Sequence, residues 1–174
     1  MGEAAELVKV IDFEPLITET DGFEMGALNC ILENGDVLTL YNVPLDITKA
    51  IAKLSRYDEA EIGGGDPRDS IYEILIMVQP RLSEFRDFIH IVVIDGFNRS
   101  MGTYSASVYM SVDGINIKRT MIPSHAIFLA LLFGKPVYVT EEVVRISKEL
   151  EAEEGEEEED FMDYEEDEEE EEEF

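Results

Sequence analysis

Histidine is scarce in this chain, two among 174 residues, so both positions are worth reading for proton chemistry. Ser124-His125 stands where a strand hands over to an apolar run opened by Pro123. A helix starting there leaves backbone N–H groups free to attract an anion. A phosphate could dock at Ser124 while His125 moves a proton. The same pair also fits a plainer role, with Ser124 capping the helix and His125 exposed in its first turn. His90 lies inside the apolar run Phe88 to Ile94. It reads as a packed histidine bonded to a neighbour rather than a base facing a cleft.

Phosphate chemistry also needs cations. Lys49, Lys53 and Arg56 recur at helical spacing and form a basic stripe that could follow a phosphate backbone. Equally, the stripe is a solvated face or a dock for the acidic end of the chain. Lys118-Arg119 is a second basic pair, and Arg68 and Arg81 flank a further apolar segment. Arg119, Arg68, Lys53 and Lys49 are therefore the candidate nucleic-acid contacts. Asp46, Asp66, Asp69 and Asp95 fall at element ends, where metal-dependent nucleases place carboxylates. A divalent cation such as magnesium suits that chemistry, but no Asp-x-Asp or His-x-x-His spacing marks a site. Gly63-Gly64-Gly65 follows a helix and lacks the Gly-Lys-Ser/Thr ending of a phosphate loop, so it reads as a joint. Cys30 is the single cysteine, which excludes an internal disulfide and a cysteine-based zinc cluster.

The elements that must position these residues follow from pattern. Leu7 to Phe13, Ala27 to Leu32 and Val37 to Tyr41 read as strands, the last two joined by a turn at Asn34-Gly35. Ile47, Ala50, Ile51 and Leu54 give one buried face of a helix after Pro44. Asp66-Pro67 reads as the start of a second helix with a buried stripe of Ile71, Ile74, Leu75, Val78 and Leu82. Phe88 to Ile94, Thr103 to Met110 and Ile115 to Met121 form three more strands, with turns at Asp95–Arg99 and Asp113-Gly114. Ala126 to Phe133 is apolar on every side, so its helix should be covered all round, with Gly134 as C-cap. Pro136 to Val139 is a last short strand, and Thr140 caps a terminal helix. The fold class is α+β: a mostly antiparallel sheet of two three-stranded meanders with about four helices.

Charge divides the chain in two. Of 41 acids against 13 bases, residues 151–174 hold 18 acids and no base. Residues 1–150 thus read as one domain, and 151–174 as a polyacidic tail that cannot bury enough apolar surface to fold. No apolar run reaches the length of a membrane span and no secretory leader is visible, so a cytoplasmic protein is expected. A net charge of -28 opposes broad binding of nucleic acid or anionic membrane by the whole molecule.

The segment Ile122-Pro123-Ser124-His125-Ala126-Ile127, followed by Leu129-Ala130, Gly134-Lys135-Pro136-Val137-Tyr138-Val139 and Glu141-Glu142-Val143, resembles the closing signature of the bifunctional nuclease domain family. Val43-Pro44-Leu45-Asp46 with Ala50-Ile51-Ala52, and Asp66-Pro67-Arg68-Asp69 with Ile74-Leu75, resemble its two earlier helix entries. The likeness runs over roughly residues 7–147. Ile122 and His125 replace an Arg and an Asp of the family pattern, and the acidic tail lies outside it. The resemblance implies an α+β fold, self-association and hydrolysis of DNA or RNA phosphodiesters. For that reaction His125 and Ser124 are the candidate catalytic residues, His125 or a nearby carboxylate as the base and Ser124 with the helix start as the holder of a phosphate oxygen. The alternative is a non-catalytic interaction protein whose tail, punctuated by Phe161, Met162, Tyr164 and Phe174, mimics nucleic acid and binds a basic partner.

Overall fold

Tight turns set the register of the sheet. In the computed structural model, which describes residues 5–56, 68–153 and 155, strand β1 (Leu7–Thr20) folds back on β2 (Phe23–Leu32) through Asp21-Gly22, both with positive φ. This is the two-residue turn whose twist matches that of the strands. β2 continues into β3 (Val37–Val43) past Asn34-Gly35, where only Gly35 adopts positive φ. After the helices α1 (Leu45–Leu54) and α2 (Ile71–Val78) and two 3-10 turns (Gln79–Arg81 and Ser83–Asp87), a second meander follows. It comprises β4 (Ile89–Asn98), β5 (Thr103–Val112) and β6 (Ile115–Met121). Helix α3 (Pro123–Phe133), strand β7 (Val137–Thr140) and helix α4 (141–153) complete the order.

The two meanders are not separate layers. They are the halves of one seven-stranded sheet, ordered β3-β2-β1-β7-β4-β5-β6. The short β7 joins them, antiparallel to β1 and parallel to β4, which makes the sheet mixed. Helix α1 packs on β1 and β2, α3 on β4 and β5, and the two helices touch each other. One core results. Leu28, Cys30 and Leu32 of β2, Val92 and Ile94 of β4, Ala106 and Val108 of β5 and Val137 and Val139 of β7 point into it, as the period of two requires. Val143 and Val144 carry α4 into the same core. Burial pushes the Cys30 thiol up to about 12, so it stays a protonated packing group.

Several expectations are corrected. β1 runs on through Pro15, which pairs with Leu28 of β2. Its other edge is free of β7, which pairs only with Leu7 to Lys9, so the missing N–H costs no ladder bond. Asp95-Gly96 is not a turn. It stays in β4 at a bulge, where Ser105 Oγ fills the space a Cβ would need, and the chain turns at residues 99–102 instead. Residues 68–70 are not helical: α2 begins at Ile71, and Ser70 Oγ accepts from the Glu73 N–H. Asp66-Pro67, Gly63-Gly64-Gly65 and nearly all of the acidic tail lie outside the described residues. The expected buried stripe of α2 is also absent: no α2 residue is fully buried, and only Tyr72, Leu75 and Ile76 pack partly against the core. Helix α3 meets its expectation, with every residue buried or half-buried and Gly134 ending it in the left-handed conformation.

Candidate functional site

Three helix starts meet around Tyr72. His125 is the third residue of α3, Tyr72 the second of α2 and Asp46 the second of α1. The Tyr72 hydroxyl lies 3.2 Å from His125 Nε2, and its ring packs edge-on against Phe128 at 5.0 Å between centroids. Burial, then the negative charge of Asp46, hold the Tyr72 phenol above its ordinary value, so it remains a hydrogen-bonding O–H at neutral pH. The imidazole is half-buried, and Tyr72 is the only described side chain bonded to it. If Nε2 carries the proton and donates to the Tyr72 oxygen, Nδ1 is left as an acceptor able to take a proton from water. Helix α3 opens at Pro123, two residues before His125, and the free N–H groups of a helix first turn carry partial positive charge that favours an anion.

The other predicted members are placed less favourably. Ser124 is 3% exposed and is the second helical residue; the N-cap is Ile122. Little of its surface is therefore offered to a substrate. Lys53 ties α1 to α2 through an ion pair with Glu73 at 2.9 Å, and Arg56 lies beyond the end of α1 with positive φ. The basic stripe is thereby broken, with Lys49 half-buried on α1. Arg68 is exposed ahead of α2. Arg119 and Lys118 fall on opposite faces of the sheet. Arg119 pairs with Val108 on the helix side; Lys118 pairs with Tyr109 on the other. The side chain that meets His125 is Tyr72, by hydrogen bond and by ring contact.

A second polar cluster occupies the sheet face away from the helices. Ser107, buried in β5, donates to Asp95 Oδ2 at 2.6 Å, and Lys118 reaches the same oxygen at 3.3 Å. The Asp95 hydrogen bond and charge hold the Lys118 ammonium above its usual range, and it lies 5.6 Å from the Tyr109 ring centre. Asp95, Tyr109 and Lys118 line a groove of about 890 Å³ together with Glu6, Thr140 and Glu141. His90, expected to be packed, is exposed at a β4 bulge, though it is bonded to Ser111 Oγ at 2.7 Å as a neighbour-bonded histidine should be. Among the described residues no three His, Cys, Asp or Glu side chains are placed to hold a metal ion.

Tyr72 escaped the sequence reading. Its signal was present, because Ser70-Ile71-Tyr72-Glu73 has the capping-box spacing of Ser and Glu, which fixes the start of α2 and puts Tyr72 in its first turn. No helix among the described residues is long and apolar enough to cross a membrane. No protein-family model matches the chain, and no curated protein matches it either. The likeness to the bifunctional nuclease family rests on the residues quoted for it.

Proposed function

We propose that this chain hydrolyses phosphodiester bonds of DNA or RNA, with His125 as the group that takes a proton from the attacking water. The observation that carries this reading is the 3.2 Å contact between Tyr72 Oη and His125 Nε2 at the meeting of three helix starts. It holds the ring, and in the tautomer with the proton on Nε2 it leaves Nδ1 to take the proton from water. The helix starts favour the negative charge that develops on the phosphorus oxygens. Arg119 and Arg68 are the cations the substrate would recruit, since both are exposed on the surface.

The test is cleavage of labelled DNA and RNA by the purified protein, with and without magnesium. His125→Ala should lose on the order of 10²- to 10⁴-fold in rate, the usual contribution of a positioned acid or base. Tyr72→Phe keeps the ring but removes the hydroxyl, so it should lose less and shift the pH profile. Activity undiminished in His125→Ala removes that residue from the mechanism.

A non-catalytic reading is favoured by a different observation: Ser124 is buried. The acidic tail would then recruit a basic partner. Pull-downs with the full chain and with a chain ending at Leu150 separate the two. A partner list that does not change dismisses the tail as a recognition element.

A further inference from the structure

The groove of about 890 Å³ on the sheet face away from the helices has a volume in the range that holds small molecules. Its floor is apolar, built from Leu7, Ile91 and Val93 with the Tyr109 ring beside them. Four acids, Glu6, Asp95, Glu141 and Glu142, and one base, Lys118, stand around it. Two details show what this lining accepts. The Lys118 ammonium lies 3.3 Å from Asp95 Oδ2 and 5.6 Å from the centre of the Tyr109 ring, so the groove already seats a primary ammonium on an aliphatic stem. Ser107 donates to the same Oδ2, and among the described residues nothing donates to Oδ1. Further along, Glu6 and Glu141 hydrogen-bond to each other. Two carboxyl groups can do so only by holding a proton between them, a place that a cation fills at neutral pH.

We propose that this groove binds a linear aliphatic polyamine, its ammonium groups on the Glu6–Glu141 pair and on Asp95 Oδ1 and its methylene stem on Leu7, Ile91 and Val93. Charge supports the choice. Four acids against one base leave three negative charges when all are ionised, which a triamine such as spermidine matches. The architecture selects a small amine over a basic peptide. Strands β1, β7, β4 and β5 each have a strand on either side. At the floor Leu7 is paired with Thr140, Ile91 with Tyr109 and Val93 with Ser107. The floor therefore has no open sheet edge to take up the main chain of a peptide, whose amides would lose water there without gaining partners. A methylene stem carries no such groups and gains by covering the apolar floor. This inference does not depend on the nuclease reading.

The experiment is an NMR titration of the full chain, labelled at the Ile, Leu and Val methyl groups, with spermidine at neutral pH and about 0.15 M salt. The methyls of Leu7, Ile91 and Val93 should shift together along one saturable curve. An amine held only by the acids of residues 151–174 leaves those methyls still, so their response separates the groove from the tail. Glu141→Gln and Asp95→Asn should each weaken binding about tenfold or more, because each removes a charge-assisted hydrogen bond. Lys118→Met, which removes the resident ammonium, should tighten it about threefold or more. Thermal melts establish which variants fold. Glu141 is exposed, so its replacement keeps the test decisive even if Asp95→Asn does not fold. Groove methyls that do not move overturn the proposal, as does an affinity that none of the three variants changes. Equal shifts with magnesium chloride at the same concentrations would reduce the groove to a general counterion site and overturn it. Tighter binding of a lysine peptide of equal charge would assign the groove to a protein partner and overturn it too.

Discussion

Helices α2 and α3 are both apolar, yet one is buried on all sides and the other carries most of its large side chains to the surface. They lie side by side, joined by the Tyr72–Phe128 ring contact and by Gln79 Nε2 donating to the Leu132 carbonyl at 3.1 Å. The difference is one of available partners. α3 has β4 and β5 beneath it, α1 beside it and α2 against its outer side. Among the described residues α2 leans on α1 and, through Tyr72, on α3. Apolarity creates a demand for cover, and the layer a helix occupies decides whether the chain itself meets it.

That contrast can be broken by measurement. The largest expected effect is Phe128→Ala in α3. Phe128 is 2% exposed, so truncation should cost about 3–5 kcal/mol in chemical denaturation. A loss below about 1 kcal/mol would mean α3 is not the packed centre. Next come the two contacts that hold α2 in place. Ser70→Ala removes the N-cap and Gln79→Ala the bond to Leu132, and each should cost about 1 kcal/mol. Melting temperature should fall by a few degrees in both, since a chain of this size loses about 2–4 °C per kcal/mol. Smaller still is Met77→Ser, 69% exposed, which should change stability of the fold by no more than about 0.5 kcal/mol. A large loss there would show α2 to be covered within one chain. The last prediction concerns α4, the helix that the chain does anchor. Glu141 hydrogen-bonds to Glu6 and is repelled by its charge, which raises the Glu141 carboxyl above its ordinary 4.5. The folded state therefore holds that proton more tightly than the unfolded chain. Its contribution is fully present below the unfolded value and is lost as pH rises through the folded one. Glu141→Gln should flatten that part of the stability profile; a profile identical to wild type would remove the Glu6–Glu141 contact from the account.

Legibility in the sequence tracked locality. Asp113-Gly114 turns where the residues say it should, both with positive φ, and Gly134 ends α3 in the left-handed region. Thr140 caps α4, its Oγ1 accepting from the Val143 N–H at 3.3 Å. Errors arose where a local signal has two meanings. Asp95-Gly96 can be a turn or a strand bulge, and the nearby Ser105 side chain decided for the bulge. Pro15 can end a strand or lie on its unpaired edge, and the shortness of β7 decided for the edge. In the candidate site, His125 was visible as a rare residue at a helix start. Its partner Tyr72 is 53 positions away, and no spacing rule connects them.

By itself, the sequence determined the turn at Asp113-Gly114, the buried stripe of α1, the all-round apolarity of α3, the α+β class and the run of acids that sets residues 151–174 apart. These depend on φ preferences, capping groups and periodicities that act within a few residues. The tertiary structure alone decided that β7 would join two meanders into one sheet, that Ser124 would be covered while His125 met Tyr72, and that α2 would be left half bare. Each of those outcomes depends on how many surfaces compete for the same apolar area, a quantity that exists only once the layers are assembled.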